Sequence, residues 1–181
     1  TFGVDGMRLD FGGIAKGYAA DEALRVLAEA GFPRALVAAA GDVTAGAAPP
    51  GEAGWKVDIG LSDVAGAPAP RTVWLRHAAA ATSGDVFQRL EVGGRRYSHI
   101  LDPRTGIGLT DHSLVTVLAR DGTTADSLAT AASVLGPREG IRLVDRTRGA
   151  AALILTAPDG ALKEYQSRRL GRWLEAGRGS R

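Results

Sequence analysis

The sequence contains no cysteine, and this absence removes several kinds of chemistry at once. None of its 181 residues can form a disulfide, hold a metal as a thiolate or act as a cysteine nucleophile. Because many proteins lack disulfides for reasons unrelated to their location, the absence does not identify a cellular compartment. Cysteine-based catalysis and cysteine-based metal binding are therefore excluded.

Long apolar runs and a strong net charge are also missing. No apolar segment approaches the ~20 residues that a helix needs to cross a bilayer. The formal net charge is +2 at pH 7, and the contents of 45% hydrophobic and 23% charged residues are ordinary for a globular protein. A chain of this length is most simply one domain with a substantial core.

The small net charge is distributed unevenly along the chain. Residues 163–181 hold six basic and two acidic side chains, a balance of +4, which leaves −2 on the rest of the chain. A basic end on a mildly acidic body is not the clustered basic face of a nucleic-acid-binding domain. We therefore predict a single domain over residues 1–166, a solvated and partly disordered basic tail over residues 167–181, and no nucleic-acid partner.

Hydrophobic periodicity predicts few helices and many strands. Helical spacing predicts helices over residues 18–30, 123–135 and 138–147. Gly93-Gly94 and Pro158-Asp159-Gly160 each lie between two predicted strands and indicate hairpins. Because the strands are often adjacent in sequence, we predict an α+β fold with mostly antiparallel sheets. The predicted strands are residues 7–11, 34–39, 55–60, 72–77, 86–92, 95–100, 113–119, 151–156 and 162–166.

The run from residue 9 to residue 21 combines an acid, two glycines and a lysine at the start of the first predicted helix. Gly12 and Gly13 would let the backbone approach a ligand closely. A helix N-terminus offers free N–H groups to an anion, and Lys16 adds a positive charge for a phosphate. These features predict a phosphate-binding turn, and the alternative is a tight strand–helix connection with Lys16 in solvent.

Asp126 and Thr130 lie four residues apart, so a helix would place them on one face. A carboxylate and a hydroxyl are hard oxygen ligands that suit Mg²⁺. The alternative is helix capping, since Thr123, Thr124 and Asp126 occupy positions typical of an N-cap and first turn. The residues by themselves favour capping.

Two further polar clusters follow strands. In the run 98–106, His99 is a candidate general base. Asp102 could instead form an Asx-type turn, and Arg104 could bind phosphate or remain exposed. In the run 81–85, Ser83 and Asp85 are predicted to make local backbone hydrogen bonds at a strand-to-turn corner. Ser83 has no Ser–His–Asp context in the sequence, so we do not interpret it as a nucleophile.

In this order along the chain, these clusters resemble the motifs of the ApbE family, the FAD:protein FMN transferases. Five stretches in family order favour metal binding by Asp126 and Thr130 over capping. The family's usual Gly-Gly-Asp reads Ala40-Gly41-Asp42 here, a change that we expect to be tolerated. The matching stretches are residues 9–21, 40–42 with Gly46, 82–85, 97–106, and 125–130 with Gly136.

The resemblance implies a Mg²⁺-dependent enzyme that cleaves FAD, transfers FMN to a Thr or Ser hydroxyl of a target protein and releases AMP. The implied acceptor is a membrane-associated electron-transfer subunit, in the periplasm or at the outer face of a bacterial inner membrane. Two alternatives are an FAD pyrophosphatase and a non-catalytic flavin-nucleotide-binding module. A structural domain that keeps the motifs as turns and caps is a third.

The resemblance also implies a metal-ligand set. Asp126 and Thr130 correspond to side-chain magnesium ligands, and the backbone carbonyl of Gly13 corresponds to another, which also makes Asp126 a catalytic residue. Some family members carry an additional acid just before the threonine, where this sequence has Ala129. We therefore expect the metal to rest on fewer carboxylates here.

The remaining implied contacts concern FAD and the acceptor. Asp10 and Lys16 correspond to FAD-contacting positions, and Ile100 corresponds to a backbone contact. His99 is the candidate base for the acceptor hydroxyl. Because the family places its glycine turn mid-chain, after an N-terminal portion with further flavin-contacting residues, we expect this sequence to correspond to the C-terminal portion of the family domain.

Overall fold

The protein is described here from a computed structural model, which defines residues 3–60, 69–84, 89–110, 113–157 and 161–175. The helices are α1 (Ala15–Glu29), α2 (Gly122–Arg146) and α3 (Leu170–Glu175). The strands are β1 (Leu36–Ala39), β2 (Asp42–Ala45), β3 (Trp55–Ile59), β4 (Arg71–Leu75), β5 (Ala78–Gly84), β6 (Arg89–Val92), β7 (Arg95–Ser98), β8 (Leu101–Asp102), β9 (Ile107–Gly108), β10 (Ser113–Ala119), β11 (Ala151–Thr156) and β12 (Lys163–Gln166).

One antiparallel sheet organises the fold. Its six strands lie in the order β1-β2-β5-β10-β11-β12, and every neighbouring pair is antiparallel. Three hairpins stand beside it, formed by β3 with β4, β6 with β7 and β8 with β9. The predicted α+β fold with mostly antiparallel sheets is thereby confirmed.

Both faces of the central strands are covered. Side chains alternate across a strand, so Ala79 and Ala81 of β5 face the long helix α2, while Ala78 and Ala80 face the opposite side. On that opposite side the β3–β4 hairpin and α3 complete a second core layer. Because the sheet is covered on both faces, every residue of β10 and β11 is buried, whichever face its side chain lies on.

Most of the strongly patterned elements form where the sequence predicts them. The strands at residues 113–119 and 151–156 have the predicted bounds, and α1 begins three residues before the predicted start. The two helices predicted over 123–135 and 138–147 are the two halves of α2, which is interrupted at Gly136 with φ 75°. Pro137 follows that break, in keeping with its inability to continue a helix from the preceding turn.

Three predictions about elements are wrong. Residues 7–11 form no strand, and Leu9 and Phe11 are exposed. Strand β2 was missed, and residues 81–85 were interpreted as a strand-to-turn corner, although residues 81–84 belong to β5. The sequence of β5, Ala-Ala-Ala-Ala-Thr-Ser-Gly, shows no alternation because both of its faces are buried. The predicted loop turn at 158–160 lies outside the described residues, although β11 and β12 do pair as the hairpin prediction requires.

The basic tail predicted from residue 167 is wrong over residues 167–175. Leu170 is fully buried, and Trp173 and Leu174 pack against the same core layer. The guanidinium of Arg169 donates to the backbone oxygens of Asp145, at 2.6 Å, and of Thr147, at 3.2 Å. Residues 176–181 lie outside the described residues. Among the helices that the structure describes, none has the length and apolarity to cross a membrane.

Candidate functional site

A cleft of about 820 Å³ opens where four of the sequence clusters meet. The glycine turn before α1 contributes Gly13, the first turn of α1 contributes Lys16, and the end of β5 contributes Ser83. His99 comes from the turn after β7, and Thr130 comes from α2. Residues far apart in the sequence are thus brought together by the packing of α1 and α2 beside the sheet.

The Lys16 ammonium lies between two buried carboxylates. Its Nζ is 3.0 Å from Oδ1 of Asp126 and 3.1 Å from Oδ2 of Asp42. The other oxygen of Asp126 accepts a hydrogen bond of 3.0 Å from the backbone N–H of Gly17, in the first turn of α1. The alternative interpretation, in which Lys16 lies in solvent, is therefore wrong, since Lys16 pairs with carboxylates of β2 and α2.

Of these three groups, Asp42 is the one with a buried oxygen that lacks a regular hydrogen bond. Its Oδ1 accepts a 3.0 Å hydrogen bond from the N–H of Thr82, but its buried Oδ2 has no hydrogen bond of regular geometry, so its contact with Lys16 is an ion pair. Burial raises the pKa of Asp42, and the negative charge of Asp126 acts in the same direction, while Thr82 and Lys16 oppose the increase.

The pKa of Lys16 reflects the position of its ammonium between the two carboxylates. Desolvation by burial lowers its pKa, but the hydrogen bonds and charges of Asp126 and Asp42 together outweigh that effect, so the pKa of Lys16 is raised. The side chain is therefore a fully charged ammonium at neutral pH. Two carboxylates and one ammonium leave this group of three with a net negative charge.

The three residues expected to bind a metal lie together. Asp126 and Thr130 are one turn apart on α2, and Thr130 Oγ1 is 3.3 Å from Ser83 Oγ. Gly13 is so close to Thr130 that a Cβ atom on Gly13 would lie 2.9 Å from the Thr130 methyl carbon. The described residues contain no group of three or more His, Asp or Glu side chains at metal-binding spacing. Hydroxyl and carbonyl oxygens would therefore have to complete any metal site.

Two other acids, and not Asp126, cap the N-terminus of α2. Asp121 is the N-cap of α2 and accepts from Thr124 N at 2.7 Å. Asp21 of α1 accepts from the N–H groups of Gly122, at 2.7 Å, and Thr123, at 2.8 Å. Because these two carboxylates satisfy the start of α2, Asp126 is not needed as a cap of α2.

The turn after β7 places His99 and Ile100 on the cleft wall. His99 is exposed, whereas Ile100 is buried. The backbone N–H of Ile100 donates to Ser98 Oγ at 3.1 Å, and its carbonyl accepts from Leu109 N at 2.9 Å. A backbone contact from Ile100 to FAD would therefore use the second lone pair of that carbonyl.

Asp102 and Arg104 form a pair of their own. Asp102 Oδ1 accepts from the backbone N–H of Arg104 at 2.9 Å, which is the predicted Asx-type turn, and Oδ2 lies 2.8 Å from Arg104 Nη2. The Arg104 guanidinium lowers the pKa of Asp102. Asp10 makes a similar local contact, accepting from Gly12 N at 2.7 Å at the mouth of the cleft.

Asp42 was not predicted as a site residue, since in the sequence it stands out only as part of a stretch that matches the family. It begins β2 after the two-residue turn Ala40-Gly41, whose φ angles are 48° and 95°. Positive φ at both turn residues is typical of a type I′ hairpin, and Ala40 therefore takes a conformation that glycine would adopt more easily. That turn geometry directs the first residue of β2 towards Lys16.

Comparison with known protein families shows which proteins this chain resembles. A sequence model of the ApbE family matches residues 2–154. The FAD:protein FMN transferase of Treponema pallidum is 36% identical over an alignment of 161 positions, and the match covers 83% of this chain and 44% of that protein. The protein of the same name from Vibrio cholerae is 31% identical over 160 residues, 88% of this chain and 48% of its own length. The chain spans about half the length of the curated relatives it matches.

Solved structures agree with the sequence relationship. The ApbE protein of Thermotoga maritima superposes with a TM-score of 0.78 at 35% identity, covering 94% of this chain and 54% of that one. The apo form of the Pseudomonas stutzeri flavinyl transferase ApbE gives a TM-score of 0.77 at 34% identity, with coverage of 94% and 52%. The fold that surrounds the cleft is thus shared with these proteins.

Proposed function

This chain belongs to the ApbE family, and on that premise we propose that it acts in Mg²⁺-dependent transfer of FMN from FAD to a Thr or Ser hydroxyl of an acceptor protein, with release of AMP. The relatives from Treponema pallidum and Vibrio cholerae bear the name FAD:protein FMN transferase. The observation that carries the proposal is one cleft in which Lys16 pairs with Asp126 beside Thr130 and Gly13.

The donor set suits a magnesium ion. Asp126, the Thr130 hydroxyl and the Gly13 carbonyl would hold it, and all three offer hard oxygen atoms. Asp42 Oδ2, buried without a regular hydrogen bond, adds negative charge nearby. When bound, Mg²⁺ would neutralise charge that develops on the pyrophosphate oxygens.

The chain's own residues would do the rest of the positioning. The Lys16 ammonium supplies a fixed positive charge for a phosphate oxygen, and phosphoryl transfer depends mainly on such positioning and charge neutralisation. Asp10 lies at the cleft mouth, where it would contact FAD. Ile100 would contribute its backbone carbonyl to the same ligand.

His99 is the proposed base. Its imidazole lines the cleft and is exposed to an incoming acceptor. As the acceptor oxygen bonds to the phosphorus of the FMN moiety, the bond from that phosphorus to the AMP oxygen breaks, and the hydroxyl proton passes to His99. By family resemblance, the acceptor is a membrane-associated electron-transfer subunit, and the setting is the periplasm or the outer face of a bacterial inner membrane.

A second candidate function is FAD pyrophosphatase activity or flavin-nucleotide binding without turnover. The observation that favours it is coverage, because the matched relatives are about twice as long as the segment shared with this chain. In the pyrophosphatase case water would replace the acceptor hydroxyl in the same cleft. FMN and AMP would then be the products.

One experiment separates these functions. FAD is titrated into the chain with and without Mg²⁺, in the presence of a Thr-containing acceptor protein, and the mixture is analysed by mass spectrometry. Flavinylated acceptor with AMP supports transfer, whereas free FMN with AMP supports the pyrophosphatase. Binding without AMP would reject both catalytic functions, and no binding would reject a flavin site altogether.

The matched pair Asp126→Ala and Ser127→Ala tests the metal assignment. Ser127 Oγ donates to the Thr123 carbonyl at 2.8 Å within α2 and does not line the cleft. We expect Asp126→Ala to abolish Mg²⁺-dependent turnover and Ser127→Ala to retain it. Unchanged turnover in Asp126→Ala would show that the metal is bound elsewhere.

A further inference from the structure

The reaction proposed above gives Asp42 no direct contact with FAD, acceptor or metal, yet Asp42 is one of the most buried charged groups of the described residues, with 2% of its surface exposed. A buried carboxylate is unfavourable unless it is paired and hydrogen-bonded. The structure fixes one oxygen of Asp42 on Thr82 N and leaves the other facing Lys16. Each oxygen of the buried Asp42 carboxylate thus faces one defined nitrogen donor.

Lys16 pairs with the same carboxylate that the divalent cation would use, and Asp42 is its second anionic partner. Its ammonium lies 3.0 Å from Oδ1 of Asp126, the carboxylate that would bind the divalent cation. An ammonium and a metal ion repel each other and would compete for the same carboxylate. Binding of the cation therefore requires Lys16 to give up part of its contact with Asp126 and to keep another anionic partner.

We propose that Asp42 is a positioning residue that retains the Lys16 ammonium on its own side of the cleft, so that Asp126 is available to a divalent cation. This inference rests on the proposed function. Without the Asp42 charge, Lys16 would pair with Asp126 alone and would weaken metal binding. Asp42 thus acts on the metal site through Lys16.

The backbone around Asp42 suits this task. Thr82, whose N–H holds Asp42 Oδ1, lies in β5, and its hydroxyl is 3.0 Å from the Thr116 hydroxyl of β10. The carboxylate is therefore held by β5, a central strand that the Thr82 hydroxyl also joins to β10. With Oδ1 occupied by Thr82, Oδ2 remains directed at the Lys16 ammonium.

The test is a double-mutant cycle read out as Mg²⁺ affinity. Isothermal titration calorimetry with MgCl₂ is carried out on the parent chain, Asp42→Asn, Lys16→Met and the double variant. If Asp42 acts through Lys16, the loss of affinity caused by Asp42→Asn is roughly fivefold or more larger with Lys16 present than in the Lys16→Met background. We also expect Lys16→Met alone to bind Mg²⁺ more tightly than the parent, because a competing cation is gone.

Other outcomes overturn the inference in distinguishable ways. Equal losses in both backgrounds would make Asp42 a ligand or a simple source of charge, and no loss in either would remove its role. A parent chain that binds no Mg²⁺ would overturn the proposed metal site and this inference together. Asp58→Asn, an exposed carboxylate on β3, is the matched control and should titrate like the parent.

Folding is monitored in every variant by circular dichroism. If Asp42→Asn alone fails to fold, Asp42→Ser takes its place in both backgrounds. A loss of affinity that is fivefold or more larger with Lys16 present supports the inference, and equal losses or no loss overturn it. The double variant removes one charge of each sign, so it leaves no uncompensated pair of carboxylates in the cleft.

Discussion

The ammonium of Lys16 lies 3.0 Å from Oδ1 of Asp126, although 110 positions separate the two residues in the sequence. The contact crosses from the first turn of α1 to the second turn of α2. The ion pair therefore forms only when the two helices pack correctly on the sheet. A change in helix packing would also change the charges at the cleft.

Replacing Lys16 by Met should destabilise the protein. The substitution leaves Asp42 and Asp126 buried side by side without a cation. Loss of a buried partner costs several kcal/mol, but Lys16 is about one-third exposed, so we expect roughly 1–3 kcal/mol in the free energy of unfolding. Urea denaturation at pH 7 measures this change. Lys56→Met, on an exposed position of β3, should be close to neutral, and equal effects of the two variants would contradict the prediction.

Gly17→Ala should separate α1 from α2. A Cβ atom on Gly17 would lie 2.1 Å from the backbone oxygen of Gly122 and 2.8 Å from Thr123 N, so the helices must move apart. We expect a loss of about 3 kcal/mol in thermal or chemical unfolding, the upper range for overpacking. Gly171→Ala in α3 meets no atom within 4 Å and should be neutral or slightly stabilising. A neutral Gly17→Ala would mean that α1 does not pack as described.

Ala40→Gly should stabilise the β1–β2 hairpin. Ala40 has φ 48°, a left-handed conformation that costs a non-glycine residue about 1–2 kcal/mol. The greater backbone freedom of unfolded glycine offsets part of that gain, so we expect a net increase of about 0.5–1 kcal/mol and a rise in Tm of about 2 °C. Ala38→Gly, within β1, should instead lower the Tm in the same differential scanning calorimetry.

The Asp102–Arg104 pair predicts a pH dependence. Because Arg104 lowers the pKa of Asp102, the pair favours the folded state above the ordinary carboxyl pKa. That contribution is lost as the pH falls through the lowered value. A carbon-detected NMR titration of the Asp102 carboxyl should give a pKa below the ordinary range in the parent and a higher one in Arg104→Gln, which keeps only the hydrogen bond from the backbone N–H of residue 104. Arg25→Gln, on α1, should leave it unchanged, and an ordinary value in the parent would contradict the pairing.

The elements that the sequence predicted correctly are those whose pattern is local. Strand β10 and both halves of α2 follow from hydrophobic spacing that neighbouring residues carry by themselves. The α+β class and the family resemblance likewise depend on short motifs that stay recognisable wherever the chain places them. The grouping of Gly13, Asp126 and Thr130 could be predicted only through that resemblance.

Strand β5, helix α3 and Asp42 could not be predicted in this way. β5 is a strand because β2 and β10 pair on either side of it, and Leu170 is buried because α3 finds a place against the second core layer. Asp42 is an ordinary acid in the sequence and gains a partner only when α1 lies against β2.

The sequence by itself determined the fold class, the family and the order of the motifs, since periodicity and short motifs are properties of neighbouring residues. Only the tertiary structure decided which charges meet. It placed Lys16 between Asp42 and Asp126, and it assigned the capping of α2 to Asp21 and Asp121. The physical reason is that an ion pair depends on distances of a few ångströms between segments, and helix and strand packing sets those distances.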